Sequence, residues 1–223
     1  MIFAVCAAVA LSVSAAVSFW LLPRLRPPDT APAWWATGLV SAVLAVAYAA
    51  VLSNPAAVLV AALLPVLIVV ASIDGRTLRI PNGLTAVAAV VVAAAALWVF
   101  PAGPGWYPAA VAAAVAATVF VVLFAMSLFA GLGMGDAKLA PVIAAGLLVV
   151  TAALWPSGAG YFLVPVLFAA VVTFWLTISF ALAAVRVLVL RSKGHFAFGP
   201  FLVAGSGVIL VFLPEIAGLA AGT

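Results

Sequence analysis

The sequence predicts an all-α, polytopic integral membrane protein, and three observations predict it. Hydrophobic residues make up 70% of the chain and charged residues 5%, with a mean hydropathy of +1.49. A soluble domain carries about 25% charged residues, and no soluble fold of this size hides so much apolar surface. Several apolar stretches reach the roughly 17–25 residues that a helix needs to cross a bilayer. These stretches run through Ala, Val and Leu without the alternation of a barrel strand, so only helices satisfy their backbone in lipid.

Taken in order, about eight stretches have spanning length. They lie near Ile2–Leu22, Ala33–Leu52, Ala56–Ile73, Gly83–Phe100, Pro108–Ala130, Ala137–Leu154, Gly160–Leu190 and Ala197–Leu213. The seventh is long enough to require tilt or extension past the bilayer. The breaks fall at turn-forming residues: Pro23 with Pro27 and Pro28, Asn54–Pro55, Pro101 to Gly105, and Pro156 to Gly160. Pro65, Pro141 and Pro165 sit within spans, where kinks are tolerated. No internal repeat or soluble domain is visible. The expectation is one membrane domain over residues 1–223, with helices three to eight (56–213) as its core.

Charge then orients the helices. The eight Lys and Arg residues are Arg24, Arg26, Arg76, Arg79, Lys138, Arg186, Arg191 and Lys193. All fall at alternate connections, and the intervening ones carry none. Cytoplasmic loops hold the basic excess, so both termini are expected outside. Arginines that follow the first span, rather than precede it, also argue against a cleaved signal peptide. The net charge of +4 is spread too thinly to form a nucleic-acid patch. Trp34, Trp35, Trp98, Trp106, Tyr107, Trp155 and Tyr161 read as interfacial anchors. Cys6, the single cysteine, excludes an intrachain disulfide and a thiolate zinc site, and reads as apolar filler. No metal or cofactor is called for. His195 reads as an interfacial residue rather than a ligand.

Four acidic residues remain for chemistry. Asp29 lies in the first basic loop and Glu215 near the C-terminus, both at solvent-facing positions. Asp74 ends helix three and Asp136 opens helix six, at connections of the same parity. Ionisable residues at membrane depth are costly and therefore functional candidates. The structural alternative makes each an interfacial charge paired with Arg76 or Lys138. Their surroundings favour a site. Ile80, Pro81 and Asn82 follow Asp74, with Pro81 breaking the chain and Asn82 suited to cap helix four. Gly133 and Gly135 precede Asp136 and permit close backbone approach. Two carboxylates held together cannot both ionise easily. One ionised and one protonated carboxyl can activate water and polarise a carbonyl, as peptide hydrolysis requires.

The segment Asp74-Gly-Arg-Thr-Leu-Arg-Ile80-Pro81-Asn82 resembles the first catalytic motif of the type IV prepilin peptidases. Gly133-Met-Gly135-Asp136-Ala-Lys138 resembles their second, the GxGD motif of intramembrane aspartyl proteases. Phe198-Gly199-Pro200-Phe201 is similar to a further segment of that family, although Ala197 stands where a proline is expected. The resemblance covers helices three to eight. It implies that Asp74 and Asp136 are the catalytic pair of an aspartic endopeptidase in the bacterial cytoplasmic membrane. The implied substrate is a prepilin-like precursor with an N-terminal leader and an apolar helix. Many members carry paired CxxC motifs after the first helix, tied to N-methylation; here Pro23–Pro32 has no cysteine. A peptidase-only form serving a type IV or Flp-like pilus fits better. Lys138 either acts on Asp136 or substrate, or is an orienting charge. The rival reading is a proton- or ion-coupled transporter using the two aspartates, which usually holds its site near the midplane between inverted repeats. A scaffold that keeps the motifs without activity is a third.

Overall fold

The computed structural model describes residues 2–17, 34–52, 54–102, 105–129, 132–154, 163–190 and 197–221. These residues form eight α-helices and, among them, no strand. In chain order they are α1 (Ile2–Ala16), α2 (Trp34–Ala49), α3 (Asn54–Thr77), α4 (Asn82–Ala102), α5 (Trp106–Phe129), α6 (Met134–Ala153), α7 (Val164–Leu190) and α8 (Gly199–Ala221). The six from α3 to α8 are long and apolar enough to span a membrane, while α1 and α2 are shorter apolar helices. Residues 18–22 of the first predicted span lie outside the described residues. So do Arg24, Arg26, Asp29, Trp155, Tyr161, Arg191, Lys193 and His195.

Burial shows which helices form the centre. The spanning windows of α3 and α6 are 67% and 72% buried, whereas that of α5 is 17% buried. Helix α3 packs against α1, α2, α4, α6 and α8, and α6 packs against α3, α4, α5, α7 and α8. An exposed apolar face on α5 (Val121, Val122, Leu128, Phe129) costs nothing in lipid. Cys6 is fully buried in α1. Trp35, Trp98, Trp106 and Tyr107 are all at least half exposed, as anchors at an interface would be.

Three of the differences from the expected helix ends have a plain physical reason. Asn82 does not cap α4 from outside; it is the first helical residue, and the carbonyl of Pro81 accepts the amides of Leu84 and Thr85. Pro165 is not mid-span, since it falls in the first turn of α7, where a missing N–H removes no helix bond. Helix α8 runs on through Pro214 to Ala221 rather than stopping at Leu213. Leu213 is fully buried there, and packing outweighs the one backbone bond the proline forfeits.

Because successive helices alternate in direction, the C-terminal ends of α3, α5 and α7 share one end of the bundle with the N-terminal ends of α4, α6 and α8. Two polar ties set the height of α8. Trp175 of α7, fully buried, donates its Nε1–H to the carbonyl of Leu202 at 2.9 Å. Tyr48 of α2 donates its hydroxyl to the carbonyl of Gly207, also at 2.9 Å.

Candidate active site

The last turn of α3 carries Asp74, whose carbonyl accepts the amide of Leu78 at 2.8 Å. Leu78 has φ 52°, the left-handed conformation that closes a helix C-terminus and is usually given to glycine. A non-glycine residue there costs about 1–2 kcal/mol. The turn sends the chain back through Ile80 to Pro81 and α4. Asp136 lies in the first turn of α6, after Gly133, whose carbonyl accepts the amides of Asp136 and Ala137.

Both carboxylic residues are enclosed: Asp74 is 3% exposed and Asp136 is 5% exposed. They come from different helices yet stand close enough to act on one another electrostatically. The amide of Gly199, at the start of α8, donates to Asp74 Oδ2 at 3.0 Å. The same amide lies near Asp136, although the hydrogen bond itself goes to Asp74. Asp136 Oδ1 is buried with no hydrogen-bond partner among the described residues. Neither aspartate makes an ion pair among those residues, so the expected alternative of pairing with Arg76 or Lys138 is not what the structure contains.

Residues 61–220 match the model of the type IV leader peptidase family. The chain belongs to that family. Its membership makes it a peptidase, and its apolar helices make it a multi-pass membrane protein. No curated protein and no solved structure matches the chain.

The matched region of this leader peptidase holds both aspartates and the small residues that let three helix ends meet. Ile80, nearly buried, is wedged between two glycines. A β-carbon on Gly135 would lie 2.9 Å from Ile80 Cβ, and one on Gly199 would lie 3.3 Å from Ile80 Cδ1. Gly133 lies against the Asp136 carboxyl, with 2.8 Å from a would-be β-carbon to Oδ2. Lys138, exposed, donates from Nζ to Asn82 Oδ1 at 3.4 Å, which joins the two motifs. Of the other acidic residues, Glu215 is exposed near the C-terminal end of α8, and Asp29 lies outside the described residues. Among the described residues no three His, Cys, Asp or Glu side chains gather to hold a metal.

Sequence reasoning did not assign a role to Gly199. A backbone amide is the same in every residue, so only its place in Phe198-Gly199-Pro200-Phe201 marked it. Around that segment, Phe198 packs at a tilt against Phe180, with ring centres 4.8 Å apart, and the guanidinium of Arg186 lies 5.7 Å from the centre of the Phe201 ring. These contacts brace the first turn of α8 against α7.

Proposed function

We propose that this leader peptidase is an aspartic endopeptidase with Asp74 and Asp136 as its catalytic dyad. The observation that carries the reading is a pair of enclosed carboxylic side chains from separate helix ends, close enough to act on one another electrostatically, with no cation among the described residues paired to either. Two such groups share a proton, because both charges together are too costly in a water-poor site. One carboxylate takes a proton from water while the protonated partner donates to the carbonyl oxygen of the scissile peptide. Gly133, Gly135, Ile80, Pro81, Asn82 and Lys138 act as the supporting frame.

The site sits at the end of the bundle that carries Arg76, Arg79, Lys138 and Arg186. The basic excess supports a cytoplasmic placement of that end. The substrate that fits is a prepilin-like precursor, whose apolar helix lies in the bilayer while its leader meets the dyad at the cytoplasmic surface. Service to a type IV or Flp-like pilus follows from that substrate class, in a bacterial cytoplasmic membrane. Pro23–Pro32 offers no cysteine for the insertion linked to methyl transfer, so the reaction proposed is hydrolysis alone, without a cofactor. The placement of both aspartates at helix ends, rather than mid-membrane, speaks against an ion-coupled transporter.

The test is to incubate the membrane protein with a prepilin-like precursor and weigh the products. Leader removal with an unmodified N-terminal amine is expected. An intact precursor would overturn the peptidase reading of the site, and a methylated product would overturn hydrolysis alone.

A further inference from the structure

The first amides of a helix have no acceptor within it and form the positive end of its dipole. In α8 the carbonyl of Phe198 accepts the amides of Phe201 and Leu202, and Pro200 has no N–H. Gly199 supplies the remaining donor of that turn, and Asp74 Oδ2 accepts it at 3.0 Å. The room for this bond exists only because residue 199 lacks a side chain: a β-carbon there would stand 2.8 Å from Oδ2 and 3.3 Å from Cγ of Asp74.

Asp136 is placed differently. It is only 5% exposed, and its Oδ1 has no donor from the described residues. A carboxylate spreads its charge over both oxygens and asks for donors at each, whereas a protonated carboxyl has less charge to satisfy. A helix N-terminus favours negative charge beside it, and a charge-assisted bond is stronger than a neutral one. The two carboxyls are therefore unequal.

Resting on the aspartic-peptidase reading above, we propose that Gly199 is a positioning residue that divides the dyad, holding Asp74 as the ionised partner and leaving the shared proton on Asp136. Asp74 then takes a proton from the attacking water. The water oxygen bonds to the scissile carbonyl carbon, and the carbonyl oxygen takes the proton of Asp136 to give a gem-diol. In collapse, a hydroxyl proton returns to Asp136, the C–N bond breaks, and the leaving nitrogen takes the proton from Asp74. Both side chains end as they began.

Infrared spectroscopy of protein carrying isotope-labelled aspartate reads the protonated carboxyl directly. An Asp29→Asn background leaves Asp74 and Asp136 as the only aspartates. At neutral pH the protonated-carboxyl band should vanish in Asp136→Asn and persist in Asp74→Asn. The reverse pattern, or a band that survives in both, overturns the assignment. In Gly199→Ala, kcat should fall about 10- to 100-fold, the factor for losing a hydrogen bond to a charged group, with KM nearly unchanged. Unchanged kcat overturns the positioning role. The infrared comparison stands whether or not the alanine variant accumulates. Cleavage that survives in both aspartate variants would instead remove the dyad itself, a result distinct from a misassigned proton.

Discussion

Ile80 occupies the space in front of Gly135 so fully that a β-carbon on the glycine would lie 2.9 Å from Ile80 Cβ and 3.3 Å from its backbone nitrogen. Those neighbours are a branch point and main chain, which cannot swing aside as a flexible side-chain tip can. Gly135→Ala must therefore push the first turn of α6, and Asp136 with it, away from Asp74. Loss of about 1 Å of alignment is enough to cost on the order of 100-fold in rate. Cleavage should fall by that order, and Ile80→Ala should fail to restore it, because the alanine keeps the offending β-carbon. Restoration by Ile80→Ala would place the obstruction elsewhere.

Leu78 sits in the left-handed region at the end of α3 with its side chain about half exposed. Glycine there removes the steric cost but gives the unfolded chain more freedom. The net effect of Leu78→Gly should be a gain of about 0.5–1 kcal/mol. Thermal unfolding in detergent would show this as a raised Tm with cleavage retained. A lowered Tm would mean that the leucine side chain contributes more through contacts than its conformation costs.

Much of this arrangement is legible in the sequence, for physical reasons that also mark where legibility ends. The apolar runs announce the helices, because lipid admits no other backbone solution for them. Connection parity brings Asp74 and Asp136 to one end of the bundle, since antiparallel helices alternate. The structure places them together as well as on one end. What does not show in residue identities is the Gly199 amide, a donor that every residue type but proline possesses. The cap of α4 is hidden for a related reason: the Asn82 side chain suits that position, yet Pro81 supplies the carbonyl and the Asn82 oxygen meets Lys138 instead. The expected last span ends at Leu213, but the packing of that residue carries α8 on past Pro214.

The contact from Lys138 to Asn82 is long, at 3.4 Å, and both residues are exposed. A hydrogen bond in such a place contributes at most about 1 kcal/mol. A double-mutant cycle with Lys138→Met and Asn82→Ala should give a coupling below that on unfolding. Cleavage should drop less than roughly tenfold in either variant, the factor that this energy allows. A larger drop in Lys138→Met alone would assign the ammonium a direct part in binding substrate or acting on Asp136.

Arg76 is exposed at the site end of α3, and Gly103 lies in the uncharged connection after α4. The alternation of basic connections predicts that they face opposite sides of the membrane, with Arg76 in the cytoplasm. Single cysteines at these two positions in a Cys6→Ala background should react with an impermeant thiol reagent from opposite faces. Labelling from the same face would break the alternation between α3 and α5. Labelling of Arg76→Cys from outside would invert the protein and move the dyad to the wrong surface for a cytoplasmic leader.

The dyad itself is tested by non-additivity. If Asp74 and Asp136 share one proton, each works in a different protonation state and neither replaces the other. Asp74→Asn and Asp136→Asn should each abolish leader cleavage, and the double variant should be no worse than either single one, as residues acting in one unit behave. Both should still insert, because asparagine keeps the size and removes an ionisable group from the membrane. Asp29→Asn and Glu215→Gln should cleave normally, which separates the dyad from a general need for acidic residues. Membrane abundance must be measured beside cleavage, so that lost activity is not confused with lost protein. Full cleavage by Asp136→Asn would end the aspartic assignment, since among the described residues Asp74 is then the one acidic side chain left at that end of the bundle.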